Sequence, residues 1–153
     1  MPILPFLDYG LDHAPLRYLE DVRYHDVPVL GGAYVLLAGP RNTFPYPRRR
    51  SSVFYIGKAS NLHRRLTTHA RFAREASYDR QLTLYWPMYE YAAAFDCRYT
   101  FLRTRGPQTP TQLEAHLLAM FAEHYRSWPV ANGAGGWPSL LSPRQLRIRQ
   151  GGA

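Results

Sequence analysis

The chain has 153 residues, of which 46% are hydrophobic and 20% are charged. This length suits one domain with a single core, and the composition is that of an ordinary globular protein. No apolar run reaches the roughly 18 residues of a membrane-spanning helix. The N-terminus has neither a basic start nor a long apolar stretch, which argues against a signal peptide. We therefore expect a soluble protein without a membrane partner, located in the cytoplasm.

The charge of the chain is strongly positive. A net charge of +8 and an isoelectric point near 9.9 indicate an anionic partner, most commonly nucleic acid. Because 18 of the 19 basic residues are arginines, a bias toward arginine that leaves the surface basic is the alternative. Lys58 is the only lysine, and the pKa of a lysine responds to its surroundings more readily than that of an arginine. Cys97 is the only cysteine, which excludes an internal disulfide, and we expect it to be buried.

The first elements in chain order are an N-terminal extension and a pair of strands. Residues 1–30 form the extension, with one short helix between Pro15 and Pro28 that packs on the core. An almost wholly apolar strand follows over 33–38. A loop with three prolines and four arginines separates it from a second strand over 52–56, which is rich in β-branched and aromatic residues. This pattern is typical of an antiparallel hairpin with a long basic tip.

The remaining elements complete a small mixed fold. Gly57 breaks the second strand, and Ser60 or Asn61 caps a helix to about Glu75. The later elements are a short helix over 85–94, a strand over 95–104, a helix from Thr109 or Thr111 to Tyr125, and a polar helix over 143–149. This order predicts an α/β fold of the α+β type, with a small three-stranded antiparallel sheet flanked by helices. We expect the compact domain to cover residues 31–137, followed by a basic tail or helix over 138–153.

Two short tyrosine motifs stand out along these elements. Gly32-Ala33-Tyr34 followed by Tyr55-Ile56-Gly57 resembles the paired motif that names the GIY-YIG endonuclease family. The next stretch is similar to that family's first helix, with Arg65 ten residues and His69 fourteen residues after the second tyrosine. The two tyrosines are 21 residues apart, because the arginine-rich loop is inserted between the strands.

The resemblance continues downstream to about two-thirds of the chain. Glu114 and Asn132 resemble the family's metal-binding glutamate and its late asparagine. The family implies a metal-dependent endonuclease that hydrolyses DNA phosphodiester bonds, with a divalent metal, Mg²⁺ or Mn²⁺, on Glu114. A salt bridge to an arginine is the alternative for Glu114. Asn132 either positions a phosphate or the Glu114 region, or is a turn asparagine before glycine.

The residues around the second motif suit this chemistry. Arg65 has the planar fork that binds phosphate oxygens, although a solvated helix arginine is the alternative. The resemblance implies that Tyr55 or a neighbour activates the nucleophile and that Tyr34 helps to orient it. Free tyrosine, with a pKa of about 10, is a poor base at neutral pH, and the ammonium of Lys58 can stabilise a phenolate. His69 is the rival base, and a structural histidine is the alternative.

Arginines outside this block are candidate DNA contacts. The basic loop, with Phe44 and Tyr46 among its arginines, either grips phosphates or a groove, or is solvated. The candidates are Arg41, Arg48, Arg49, Arg50 and Arg64. A nuclease-like module that binds nucleic acid without cutting it is the alternative function. The chain has little room for a recognition domain, so a homodimer or a recognition partner can supply specificity.

Overall fold

The computed structural model describes residues 4–8, 10–79 and 86–132. The main sheet comprises β1 (Arg17–Tyr18), β2 (Gly32–Leu37), β5 (Val53–Ala59) and β6 (Arg98–Arg103), and a separate hairpin comprises β3 (Phe44–Pro45) and β4 (Arg50–Ser51). The helices are α1 (Leu62–Ala76), α2 (Pro87–Ala94) and α3 (Pro110–Tyr125), with short 3₁₀ helices at Leu19–Tyr24 and Val130–Asn132.

The main sheet has four strands in the order β1-β6-β2-β5, and every neighbouring pair is antiparallel. The predicted mixture of helices with an antiparallel sheet is confirmed, but the prediction of three strands is wrong. The fourth strand is β1, where Arg17 pairs with Tyr99 and Tyr18 pairs with Arg98. Two residues are too few to show an alternating pattern, so only the pairing with β6 defines this strand.

Both faces of the sheet are covered, so the structure has two layers of core around β2. All six residues of β2 are buried. Tyr34 and Leu36 pack with α1, α2 and the first 3₁₀ helix, whereas Ala33 and Val35 pack with α3. A central strand that is buried on both faces has no polar side, which explains its nearly continuous apolar sequence.

The two long helices begin at the caps that the sequence predicts. The Asn61 side chain accepts a hydrogen bond from the backbone N–H of Arg64 at 3.0 Å, at the start of α1. Thr109 and Gln112 form a reciprocal capping box at the start of α3. Such caps satisfy backbone groups that have no partner inside the helix, which fixes where each helix starts.

Gly57 does not break β5, contrary to the prediction, because the strand continues to Ala59. Gly57 lies directly opposite Tyr34 in the register of β2 and β5. A Cβ atom at position 57 would lie 2.4 Å from the Tyr34 hydroxyl oxygen and 2.5 Å from the Tyr34 Cζ atom. The glycine is therefore needed because the Tyr34 ring lies against its backbone, not because the chain turns there.

The basic loop between β2 and β5 is an ordered hairpin whose aromatic residues point inward. Phe44 packs edge-on against Phe54, with ring centroids 6.2 Å apart, and Tyr46 packs in the same way against Phe121 at 5.1 Å. Burial of the rings, which the loop's proline and arginine content does not reveal, anchors the hairpin to the core. The predicted aromatic tip is therefore wrong, while the loop arginines themselves are exposed.

Two further predictions concern burial and membranes. Cys97 is a free thiol that is 6% exposed, as predicted, and burial raises its pKa. No helix in the described ranges is long and apolar enough to cross a membrane. The predicted polar helix over 143–149 and the tail over 138–153 lie outside the described residues.

The contact between Tyr34 and Gly57 leads to a stability prediction. We expect Gly57→Ala to lower the free energy of unfolding by about 2 kcal/mol or more, because the new methyl group overlaps the Tyr34 ring. Urea unfolding measures this loss. In the double variant Gly57→Ala/Tyr34→Ala the ring is absent, so the loss should be smaller than the sum of the two single losses. Strictly additive losses would contradict the proposed contact.

Candidate active site

Three buried side chains from three elements form a hydrogen-bonded chain. His69 on α1 is 5% exposed, and its Nε2 atom lies 2.6 Å from the hydroxyl oxygen of Tyr34 on β2. The His69 Nδ1 atom lies 2.8 Å from the hydroxyl oxygen of Tyr89 on α2. The sequence did not indicate Tyr89, because nothing in its local pattern distinguishes it from Tyr91 two residues later. Only the packing of α2 on α1 brings it to His69.

His69 is neutral in this chain. Burial, and then the positive charge of Arg65, lower its pKa from 6.5 to about 3. A neutral imidazole donates from one ring nitrogen and accepts at the other, so one tyrosine donates to His69 and the other accepts from it. Both nitrogens are thereby engaged by protein groups, and His69 has no free nitrogen with which to take a proton from a substrate.

The hydroxyl of Tyr34 links this chain to Tyr55. The Tyr34 side chain lowers the Tyr55 pKa, as a hydroxyl that donates to the Tyr55 oxygen would. If the Tyr34 hydroxyl donates to Tyr55, its oxygen accepts from His69 Nε2–H, and Tyr89 donates to His69 Nδ1. The donors then point in one direction, from Tyr89 through His69 and Tyr34 to the Tyr55 oxygen.

Tyr55 is half-buried at the end of this chain, beside groups of both charges. Burial, and then the negative charge of Glu114, raise its pKa, while Tyr34 and Arg65 lower it by smaller amounts. Burial outweighs the stabilising groups, so Tyr55 is a neutral phenol in the protein alone.

The structure does not bring Lys58 to Tyr55 as the sequence suggested. Tyr55 and Lys58 both lie within β5, and residues three apart in a strand point to opposite faces of the sheet. Lys58 faces α3, where its Nζ donates to the Thr111 hydroxyl at 3.0 Å. The predicted contact required the chain to turn at Gly57. Because β5 continues through Gly57, this turn is absent and Lys58 does not reach Tyr55. Arg65, not Lys58, is the cation whose charge lowers the Tyr55 pKa.

Glu114 lies half-buried on α3, just after its first turn. Burial raises its pKa, and the positive charge of Lys58 lowers it by a smaller amount. Within residues 4–8, 10–79 and 86–132 it makes no salt bridge, so the arginine pair offered as an alternative is absent there. The same residues contain no group of three His, Cys, Asp or Glu side chains placed to share a metal ion. Glu114 is thus a carboxylate with no direct cationic partner among the described residues.

Arg65 is exposed on α1, one turn before His69. Its positive charge lowers the pKa values of His69 and Tyr55 and acts in the same direction on Tyr34, so the guanidinium lies within electrostatic range of all three. In the part of the chain that the structure describes, its side chain has no hydrogen bond or ion pair. The guanidinium is therefore available to an anion from solvent. Arg64 beside it is also exposed.

Asn132 has a different place from the one the sequence suggested. It is 8% exposed, and its amide oxygen accepts from Ile56 N–H while its amide nitrogen donates to the Ile56 carbonyl, both at 2.8 Å. β5 is the edge strand of the sheet, so the Asn132 amide pairs with it as a neighbouring strand would. The Tyr46 hydroxyl donates to the Val53 carbonyl at 2.6 Å on the same edge. Asn132 therefore closes the sheet and does not offer its amide to a phosphate.

The loop arginines lie at the other end of α3 from Glu114. Arg49 lies 2.7 Å from the Nε2 atom of His124, in the last turn of α3, and Arg50 donates to the hydroxyl of Thr43 at 2.8 Å. Ten residues of helix separate Glu114 from His124, a rise of about 15 Å. Arg41 and Arg48 are also exposed. Contacts from this loop would reach phosphates some distance from the carboxylate.

The buried state of His69 predicts a pH dependence. Its folded pKa lies below the 6.5 of an unfolded histidine, so only the unfolded chain gains this proton as the pH falls. The contribution of His69 to stability is complete above pH 6.5 and is lost from there toward pH 3. Between pH 7 and pH 5 this loss is about 2 kcal/mol. The difference in the free energy of unfolding between pH 7 and pH 5, measured with urea, should be smaller in His69→Asn than in wild type.

The matched control for this measurement is His63→Asn, because His63 is exposed on the same helix. His63→Asn should retain the wild-type difference in the free energy of unfolding between the two pH values. An unchanged difference in His69→Asn would contradict the neutral buried state.

The position of Asn132 predicts a structural phenotype. We expect Asn132→Ala to lower the free energy of unfolding by about 2 kcal/mol or more, because a buried N–H and a buried carbonyl of Ile56 lose their partners. The exposed Asn42 provides the control, and Asn42→Ala should change stability by less than about 0.5 kcal/mol. Chemical denaturation measures both. Unchanged stability in Asn132→Ala would refute the edge-closing role.

The chain has no significant match among protein-family models, curated proteins or solved structures. Its functional assignment therefore depends on its own motifs and on the geometry of these side chains.

Proposed function

We propose that this chain is a metal-dependent endonuclease of the GIY-YIG type that hydrolyses phosphodiester bonds in DNA. The observation that supports this most is the convergence of three groups at Tyr55. An exposed guanidinium, a phenol and a half-buried carboxylate from three elements are close enough for Arg65 and Glu114 both to shift the Tyr55 pKa. These are a phosphate-binding cation, a group that can hold water, and a ligand for a hard metal ion.

Arg65 binds the phosphate at the site of cleavage. Its side chain is exposed beside Tyr55 and is not engaged by the described residues. A guanidinium donates two parallel hydrogen bonds to phosphate oxygens and remains charged at any physiological pH. It therefore stabilises the negative charge that grows on those oxygens as the nucleophile attacks.

Glu114 would hold the divalent cation, Mg²⁺ or Mn²⁺. One half-buried carboxylate without a direct cationic partner among the described residues fits such an ion, because Mg²⁺ is often held by one or two carboxylates and keeps several waters. When bound, the ion supplies positive charge to the phosphoryl oxygens and acidifies its water. Lys58 favours the ionised form of Glu114, since its ammonium lowers the Glu114 pKa.

Tyr55 holds the attacking water. Tyr34, which lowers the Tyr55 pKa, lies in the chain that His69 and Tyr89 orient. His69 positions Tyr34 and does not act as the base, because both of its nitrogens are engaged and its pKa is about 3. To accept the proton of that water, Tyr55 must first release its own phenolic proton to solvent, and the charge of Arg65 favours the resulting phenolate by lowering the Tyr55 pKa.

One observation favours a second candidate, a nuclease-like module that binds nucleic acid without cutting it. The Tyr55 pKa is raised in the protein alone, and a neutral phenol is a poor base. Such a module would still bind DNA through Arg65 and the exposed loop arginines, and its affinity would fall steeply with salt.

Cleavage of duplex DNA in the presence of Mg²⁺ tests the proposal. We expect Glu114→Gln and Arg65→Ala each to lower the cleavage rate on the order of a hundredfold or more, because each removes charge that stabilises the transition state. The matched controls are Glu123→Gln and Arg74→Ala, which remove the same charges at exposed positions of the same helices. These should cleave within about threefold of wild type.

The outcomes separate the two functions. Equal rates in Glu114→Gln and Glu123→Gln would overturn the assignment of the carboxylate. Salt-dependent DNA binding by wild type, without products in Mg²⁺ or Mn²⁺, would establish the binding module instead.

A further inference from the structure

Two consecutive aliphatic side chains are exposed next to the candidate active site. Val29 is 67% exposed and Leu30 is 56% exposed. The other large hydrophobic side chains exposed in the described ranges are aromatic, with tyrosine hydroxyls or an indole N–H that face water. Isolated exposed apolar residues are ordinary, but an adjacent aliphatic pair leaves a continuous apolar surface without a polar group of its own.

The backbone holds this pair firmly in place. The Leu30 carbonyl accepts from Leu62 N–H at 3.0 Å, and the Pro28 carbonyl accepts from His63 N–H at 3.1 Å. Both donors belong to the first turn of α1. The segment is therefore fixed to the helix that carries Arg65, and the exposure of Val29 and Leu30 is not a consequence of a loose chain end.

Exposed cations lie on the three elements that adjoin the pair, which are β5, β6 and α1. Gly32, two residues after Leu30, pairs with Ala59 on one side, next to Lys58, and with Arg103 on the other. The side chains of Lys58, Arg103 and Arg64 are all exposed. An apolar projection among cations is complementary to a polyanion that has apolar groups inside it, and a nucleic acid has its phosphates outside and its base stack inside.

We propose that Val29 and Leu30 insert as a wedge between bases next to the cleaved phosphodiester, so that the preferred substrate is DNA whose stacking is already interrupted. This inference rests on the proposed function and names its substrate class. Leu62, which anchors Leu30, lies three residues before Arg65, about 4.5 Å along the helix axis. The wedge and Arg65 therefore lie at the same end of α1, so the wedge would enter close to the bound phosphate.

The energetics favour a substrate with an unpaired nucleotide. Aliphatic side chains that enter a base step must first unstack it, which costs a few kcal/mol in an intact duplex. This cost is lowest where a base is already unpaired. A bulged duplex therefore gains the apolar contact with Val29 and Leu30 at a smaller cost than a fully paired one.

Binding with a fluorescent base analogue beside a single bulged nucleotide tests the wedge. The host is Glu114→Gln, in which we expect cleavage to be slow enough for binding to be measured. We expect its binding to raise the fluorescence of the analogue, because unstacking relieves quenching, and Val29→Ser/Leu30→Ser to abolish this rise. The double substitution should also weaken binding to the bulged duplex on the order of tenfold, and to the paired duplex less than about twofold.

The matched control is Tyr78→Ser, which removes an exposed apolar ring (76% exposed) just past the C-terminal end of α1. It should keep the fluorescence rise. If the double variant does not fold, as judged by its thermal transition, Leu30→Gln alone in the same host provides the same readout.

Three outcomes would decide against the proposal or separate it from the proposed function. An undiminished fluorescence rise in the wedge variant overturns it. If wild type binds vesicles of anionic phospholipid and Val29→Ser/Leu30→Ser loses this binding while its DNA binding is unchanged, the wedge proposal is overturned in favour of a lipid surface. If wild type cleaves no DNA but the wedge variant loses the fluorescence rise, the nuclease proposal fails and the wedge stands.

Discussion

The contact of Tyr34 with Gly57 and His69 is the constraint on which the rest of the site depends. The Tyr34 ring lies across the neighbouring strand, where only a glycine leaves room for it, and its hydroxyl is 2.6 Å from the buried imidazole. One side chain thus joins β2 and β5 to α1. Because α1 also carries Arg65, the distance between the guanidinium and Tyr55 is set by this contact. The glycine of the second motif is required by this packing, and the same packing fixes the relative positions of the groups around Tyr55.

The interior of the site is polar but neutral, and its edge is charged. His69 and its two tyrosine partners satisfy one another away from water, so a buried hydrogen-bonded chain replaces what would otherwise be a costly buried charge. Arg65 and Glu114 remain at the accessible boundary and act on Tyr55 with opposite sign. Interior and boundary therefore have distinct roles, because the interior orients a phenol while the boundary would bind the phosphate and the cation in the proposed nuclease.

Three residues that seemed functional in the sequence make other contacts in the fold. Asn132 pairs with Ile56, and Tyr46 reaches the Val53 carbonyl, so the open edge of β5 is closed by side chains instead of by another strand. Lys58 faces α3 because β5 continues past Gly57. In each case the residue type suggested one role, while its register or its burial assigned another. Tyr89 is the opposite case, because its residue type suggested no role and only the packing of α2 on α1 brings it to His69.

Local patterns by themselves determined the class of fold, narrowed each helix cap to two residues and indicated the buried Cys97, while the candidacy of Tyr34, Tyr55, Arg65 and Glu114 came from the resemblance of their motifs to a known family. Periodicity and capping depend on neighbours a few residues away, so one sequence is enough to predict them. Tertiary structure alone decided the fourth strand, the face on which Lys58 lies, the neutral state of His69 and the position of Asn132. Those properties depend on groups that lie far apart in sequence, and only packing brings them into contact or removes them from water.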